Sequence, residues 1–253
     1  MNSDNQNKLI NEHRPAVIQQ RLNGPVKENL ISDAVLGGID GCVTTFAVVS
    51  GVVGAGLPPA VALVLGFANL IADGFSMAVS NYESIKTDRE FIQKIRNTEI
   101  EHIDQIPSGE REELRQIFNK KGFSGPILEE IVDTISADKH LWVETMLTEE
   151  YGVQKNSRNP LKAASTTFAS FVIVGAMPLA PFMVSGLATN TQFMISALLA
   201  AVMFFSVGAM KSWMLSKSAI RSGLGTLLTG GTAAALAFFV GYALREIFGI
   251  AAV

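Results

Sequence analysis

Glu99 and His102 stand three residues apart, as do Glu110 and Glu113, and Met146 precedes Glu150 by four. On a helix such pairs share a face, so each would present its ligating atoms together. Carboxylate oxygen, imidazole nitrogen and thioether sulfur suit a divalent ion of intermediate softness: iron, manganese, cobalt or zinc rather than calcium. The plain alternative is a solvated acidic surface, with Met146 packed in a core. A second set of residues lies in apolar surroundings. Asp40 is flanked by Gly37, Gly38 and Gly41 and followed by Thr44 and Thr45, while Asn69, Asp73 and Met77 recur at every fourth position of the next apolar stretch. The glycines leave room for close backbone approach, and Thr44 adds an oxygen. No Lys or Arg occupies the middle of these stretches. The aspartates therefore need water, protons or a cation as partner, because an unpaired charge in a low-dielectric medium is costly. The alternative here is a pair of protonated aspartates making hydrogen bonds between helices.

The elements that must position these residues follow from hydropathy. The 253-residue chain has a mean hydropathy of +0.30 and only 17% charged residues, against a usual ~25%. Residues 82–161 carry 11 basic and 16 acidic side chains, against 9 and 7 in the rest of the chain. That pattern describes an all-α membrane protein with one charged, acidic insert. A bilayer core needs about 20 mostly apolar residues per helix, and five stretches qualify, near 30–54, 58–81, 163–186, 190–212 and 223–246. Pro178 and Pro181 should kink the third, since each removes a backbone donor. Ser222-Gly223 should open the fifth, with Gly230-Gly231 a weak point inside it. One cysteine, Cys42, excludes a disulfide scaffold, and a net charge of −3 without a basic stripe argues against nucleic-acid binding. Residues 1–29 are polar, carry Pro15, Gly24 and Pro25, and lack the apolar centre of a signal peptide; residues 1–20 are expected to be largely unstructured.

The domains expected are thus an N-terminal segment (1–29), two membrane helices (30–81), a helical subdomain (82–161) and three further membrane helices (162–253). Basic residues mark the cytoplasmic side. Lys8, Arg14, Arg21 and Lys27 precede the first span, the insert carries its own set, and Lys211, Lys217 and Arg221 flank the link between spans four and five. All three regions fall on one side, so the N-terminus and the insert are expected in the cytoplasm, with Arg245 alone on the far side. Within the insert the second membrane helix should run on to about Ile103. Pro107-Ser108-Gly109 should break it, with Ser108 capping the next helix. Lys121-Gly122 should end that helix, Gly125-Pro126 should start a third, and a fourth should run from Asp138 to Tyr151.

At these residues the chain resembles the vacuolar iron transporter family. The resemblance runs from about Asp33 to the C-terminus. It rests on Asp40-Gly41-x-x-Thr44-x-Phe46, on Gly74-Phe75-Ser76-Met77 with Tyr82 and Lys86, on Pro178-x-x-Pro181, and on Trp142, Met146 and Glu150-Tyr151-Gly152. It implies a homodimer of five-helix protomers, an ion path at the dimer interface lined by the first helix, and export of Fe2+ from the cytoplasm in exchange for protons. It also implies that the insert gathers ions first. Asp40 and Met77 match the family's pore aspartate and methionine. Glu99, Glu110, Glu113, Glu150 and Met146 match insert ligands. Asn69 stands where plant members have a pore glutamate, with Asp73 one turn on to supply a carboxylate, and His102 replaces an insert glutamate.

The function expected is a proton-coupled exporter of ferrous iron, with manganese or cobalt as further cargo. Glu99, His102, Glu110, Glu113, Met146 and Glu150 would capture the ion, and Asp40, Thr44, Asn69, Asp73 and Met77 would pass it on. No resident cofactor is required; the partners are divalent ions (Fe2+, Mn2+, Co2+ or Zn2+), protons, membrane lipid and a second copy of the chain. A bacterial inner membrane is favoured, a vacuolar one being the alternative. The rival is a membrane-anchored iron sensor or buffer. An enzyme is not expected: there is no G-x-x-x-x-G-K-[ST] loop, and a di-iron oxidase would want paired Glu-x-x-His motifs, of which only Glu99-x-x-His102 is present.

Overall fold

The computed structural model describes residues 3–24, 28–153, 158–215 and 218–249, so Lys27, Lys155, Lys217 and Pro25 lie outside the described residues. The order is α1 (Ser3–Glu12), α2 (Pro15–Asn23), α3 (Ile31–Gly54), α4 (Pro59–Gln105), α5 (Pro107–Lys120), α6 (Pro126–Ser136), α7 (Lys139–Glu149), α8 (Pro160–Ala176) with a 3-10 extension (Met177–Met183), α9 (Thr189–Leu215) and α10 (Ala219–Phe248). No strand occurs among the described residues. Five of the helices are long and apolar enough to cross a membrane: α3, the first part of α4, α8 with its extension, α9 and α10.

Helix α3 is the axis of the membrane bundle. It packs on α8, α10, α9 and α4, and half of its apolar window is buried, against 17% for α10. Glycine permits this. A Cβ at Gly41 would stand 2.4 Å from the Phe171 carbonyl oxygen of α8, and one at Gly241 would stand 2.2 Å from the Gly51 carbonyl oxygen of α3. Helices in lipid gain little from leaving an apolar solvent, so close van der Waals contact of this kind is what holds them together. Phe171, Phe204, Leu70 and Leu179 fill the space between the helices and are at most 1% exposed.

Helix α4 has 47 residues, about 70 Å at 1.5 Å per residue, long enough to cross a ~30 Å bilayer core with its first part and to run on through residues 82–105. The second core sits there, around Leu114, Val132, Trp142, Met146 and Leu147. This one is exposed to water when unfolded, and burying each such side chain contributes about 1.5–3 kcal/mol.

Several expectations are corrected. Residues 3–23 form two exposed helices, α1 and α2, rather than an unstructured segment; Pro15 divides them by starting α2. Ser108 does not cap α5. Pro107 already fits the first helical position, and Ile106 holds the cap position without a side-chain bond. Helix α10 starts at Ala219, before Ser222-Gly223, and runs unbroken through Gly230-Gly231, because a Cβ at Gly230 would meet the Phe204 ring at 2.3 Å; that glycine is a packing contact. The prolines of the third span convert its end to a 3-10 helix. Asp33, in the first turn of α3, is 2% exposed and is paired as described below.

We expect Gly41→Leu to abolish a folded bundle, since its side chain would occupy the α8 backbone. Gly231→Ala, with nothing within 4 Å, should be tolerated or stabilising by up to ~1 kcal/mol from helix propensity. Monodispersity and thermal melting in detergent check both.

Candidate functional site

The chain brings the ligand-type residues of the insert together by a tight reversal between α4 and α5. Ile106 takes a non-helical conformation (φ −134°, ψ 58°) and donates its N–H to the His102 carbonyl at 2.7 Å, and Pro107 starts α5 at once. The last two turns of α4, with Glu99 and His102, therefore lie beside the first turns of α5, with Glu110 and Glu113. Helix α7, started by Asp138 accepting from the His140 and Leu141 N–H groups at 2.9 and 3.2 Å, ends with Glu150 at its C-terminal cap.

Glu99 and Glu110 are buried, at 1% and 4% exposure, and each leaves its Oε2 without a hydrogen-bond partner. A buried carboxylate oxygen without a donor is costly. Glu99 Oε1 accepts from the Tyr151 hydroxyl at 2.9 Å, and Glu110 Oε1 lies 3.4 Å from His102 Nδ1. Burial, then the charges of Glu99, Glu113 and Glu150, push Glu110 up to about 7, against the opposing pull of His102. Burial, Glu99 and Glu113 also raise Glu150. Burial and the bond to Glu99 raise Tyr151. Mutual repulsion among several carboxylates is what an arriving divalent cation would relieve. Met146 is wholly buried in the insert core. Among the described residues no three His, Cys, Asp or Glu side chains already stand in an arrangement that would hold a metal ion; the cluster is assembled electrostatically but not drawn in.

The membrane part contains a groove of about 560 Å³ whose lining includes Asn29, Ser32, Val35, Asp40, Met77 and Lys211. Asp40 and Met77, on different helices, thus face one space. Thr44 spends its hydroxyl proton on the Asp40 main-chain carbonyl at 2.8 Å. Asn69 is half-buried with its amide nitrogen unbonded. Asp73 is exposed on the flank of α4, within electrostatic reach of Asp40. Asp33 is treated differently. It accepts from Asn81 Nδ2 at 2.9 Å and pairs through both oxygens with Arg158. Asn81 also donates to Thr167 Oγ1 at 2.8 Å. This network ties α3, α4 and α8 to the return of the insert.

Sequence reasoning missed two of these residues as partners, Tyr151 and Arg158, and did not place Lys211 in the groove. Tyr151 was visible only as part of a motif, and the partner of Asp33 is 125 positions away. Lys211 counted only as a charge marking a loop.

Five helices long and apolar enough to cross a membrane, with carboxylates inside two of them, describe a polytopic membrane protein. Residues 31–242 match the model of the VIT family, and the chain belongs to that family. Among curated proteins it is similar to the "Vacuolar iron transporter" of Toxoplasma gondii, 29% identical over 248 residues covering 92% of this chain and 82% of that one. It is likewise similar to the "Vacuolar iron transporter" of Plasmodium falciparum, 29% identical with 87% and 84% covered. "Vacuolar iron transporter 2" of Oryza sativa subsp. japonica is 29% identical with 86% and 89% covered.

The elevated Glu110 sets a pH dependence. A carboxyl that binds its proton more tightly when folded stabilises the fold below the unfolded value, and that stabilisation is lost as pH rises through the folded one. The metal-free insert should therefore lose stability between its ordinary 4.5 and about 7. Glu110→Gln should remove that loss, making the metal-free protein more stable at pH 8 while weakening metal binding. Trp fluorescence melts at pH 5 and 8, with and without Mn2+, check this.

Proposed function

We propose that the protein exports divalent metal, ferrous iron first and manganese or cobalt secondarily, from the cytoplasm in exchange for protons. The observation that carries the reading is the pair of intramembrane carboxylates, Asp40 and Asp73, which among the described residues make no ion pair or side-chain hydrogen bond, while Asp33 nearby is fully paired. A structural anchor has no need of them, and an aspartate on a lipid-facing flank is costly. A second copy of the chain covering that flank would turn two such aspartates into a shared path, so we infer a homodimer with Asp40, Thr44, Asn69, Asp73 and Met77 on the path. Membership of a family whose relatives are named for iron transport supports the choice of cargo.

In this mechanism Glu99, His102, Glu110, Glu113 and Glu150 collect the ion at the insert, with the Met146 thioether offered from the core. The ion then exchanges with protons on Asp40 and Asp73. A carboxylate in apolar surroundings holds either a proton or a cation, so arrival of metal expels a proton and its departure readmits one. The insert and N-terminus are assigned to the cytoplasm. Arg14 and Arg21 precede α3 in the chain, the insert's return lies at the start of α3 through Arg158, and Arg245 lies at the other end, its guanidinium 2.9 Å from a Cβ built at Gly56. The bacterial inner membrane is our preferred compartment, with the vacuolar membrane as the alternative.

The separate core of the insert favours one rival, a membrane-anchored metal buffer or sensor. Proteoliposomes with a trapped fluorescent chelator, external ferrous iron and an imposed pH gradient separate the two. We expect gradient-driven flux that falls at least about tenfold in Asp40→Asn, a loss of roughly 1.4 kcal/mol or more, and a milder defect at low metal in Glu99→Gln/Glu110→Gln. Flux absent from the wild type, with tight binding that the double variant abolishes, would establish the buffer instead.

A further inference from the structure

Lys211 is the basic side chain that shares the groove with Asp40 and Met77. The packing of α3 against α9 fixes its height. A Cβ built at Gly38 stands 3.6 Å from Val207 Cγ2, so Val207 marks the level of Gly38. The two helices run in opposite directions through the bundle. Lys211 lies one turn beyond Val207 toward the insert end, and Asp40 lies two residues beyond Gly38 toward the other end. At 1.5 Å per residue the two Cα atoms are about 9 Å apart along the bundle axis. A lysine side chain is long and flexible, and covers most of that distance. Lys211 thus stands at the mouth of the groove, between the insert and Asp40.

Nothing else claims its charge. Among the described residues Lys211 has no ion-pair or hydrogen-bond partner, whereas Lys121, Lys139 and Lys162 are each paired. The nearby acid at that end of α3, Asp33, is already taken by Arg158 and Asn81. Asp40 is the carboxylate that the groove offers to an ammonium.

We propose that Lys211 is an internal counter-cation of the transport path, its ammonium competing with the divalent metal for the Asp40 carboxylate and thereby setting how tightly the groove holds its cargo. The inference rests on the transport reading above. Once Asp40 has given up its proton, the ammonium compensates its charge until a divalent ion is seated. An arriving divalent ion must displace it, and the returning ammonium favours release. Like charges at this separation in a partly dry groove repel appreciably, so removing the ammonium should strengthen metal retention.

The test is ferrous iron flux into proteoliposomes as a function of metal concentration, for the full-length wild type, Lys211→Gln and Lys211→Arg. For Lys211→Gln we expect the KM to fall by about tenfold and the maximal rate to fall with it, because release becomes limiting. Lys211→Arg keeps the charge and should stay close to the wild type in both. A KM for Lys211→Gln equal to that of the wild type overturns the proposal and leaves Lys211 reaching for lipid headgroups. Equal damage in the Gln and Arg variants also overturns it, by showing a packing role. Absence of flux in the wild type would instead defeat the transport reading itself.

Discussion

Inside a bilayer a carboxylate has no water to solvate it, and the arrangement of this protein is largely the working-out of that constraint. Asp33 meets it internally. Asn81 and Arg158 satisfy its oxygens, and the same side-chain contacts fasten α3 to α4 and to the chain returning from the insert. Asp40 sits seven residues further along the same helix, so it lies on nearly the same face two turns deeper, and receives no such partner. The contrast between the two along one helix separates a charge that the fold pairs from one that it leaves unpaired. It also explains why the sites sit where they do: the paired aspartate is at the seam with the insert, and the unpaired one lines the groove beyond it.

Geometry makes that contrast sustainable. Glycines at the contacts of α3 with α8 and α10 bring backbones close enough for dispersion to hold the bundle, which leaves the polar face of α3 free of structural duty. The unbroken 47-residue α4 then carries Met77 and Glu99 on one rigid rod, 22 residues or about 33 Å apart, so that the insert cluster and the groove are joined without a hinge between them. The two cores are distinct and stabilised differently, one by packing in lipid and one by burial from water. Acid in the insert is concentrated, and the repulsion that raises Glu110 is repulsion that a divalent ion bound there would relieve.

Much of this was legible in the sequence. Hydropathy marks five spans, and charge counts isolate the insert, because both depend on composition over about twenty residues. The i, i+3 spacing of Glu99 and His102, and of Glu110 and Glu113, anticipates shared faces, and the α4–α5 reversal brings them together through Ile106 and Pro107. The sequence did not reveal what depends on partners far apart in the chain. Arg158 on Asp33, Tyr151 on Glu99 and Lys211 in the groove with Asp40 follow from tertiary packing alone. Gly230 looked like a flaw in a helix because a single sequence does not show the Phe204 ring that fills its missing side chain. The N-terminal helices were overlooked because propensity in a polar segment is a weak signal beside hydrophobic periodicity.

The central claim is that an intramembrane carboxylate exchanges a proton for a divalent cation. Infrared difference spectroscopy on the Glu99→Gln/Glu110→Gln protein in lipid, which silences the insert, tests it most directly. Adding Mn2+ as a redox-stable stand-in for ferrous iron should remove the carbonyl band of a protonated carboxyl and release a proton to buffer, and Asp40→Asn in the same background should abolish both signals. Metal binding to the membrane part with no loss of a protonated carboxyl, or with the signal intact in Asp40→Asn, would contradict the account.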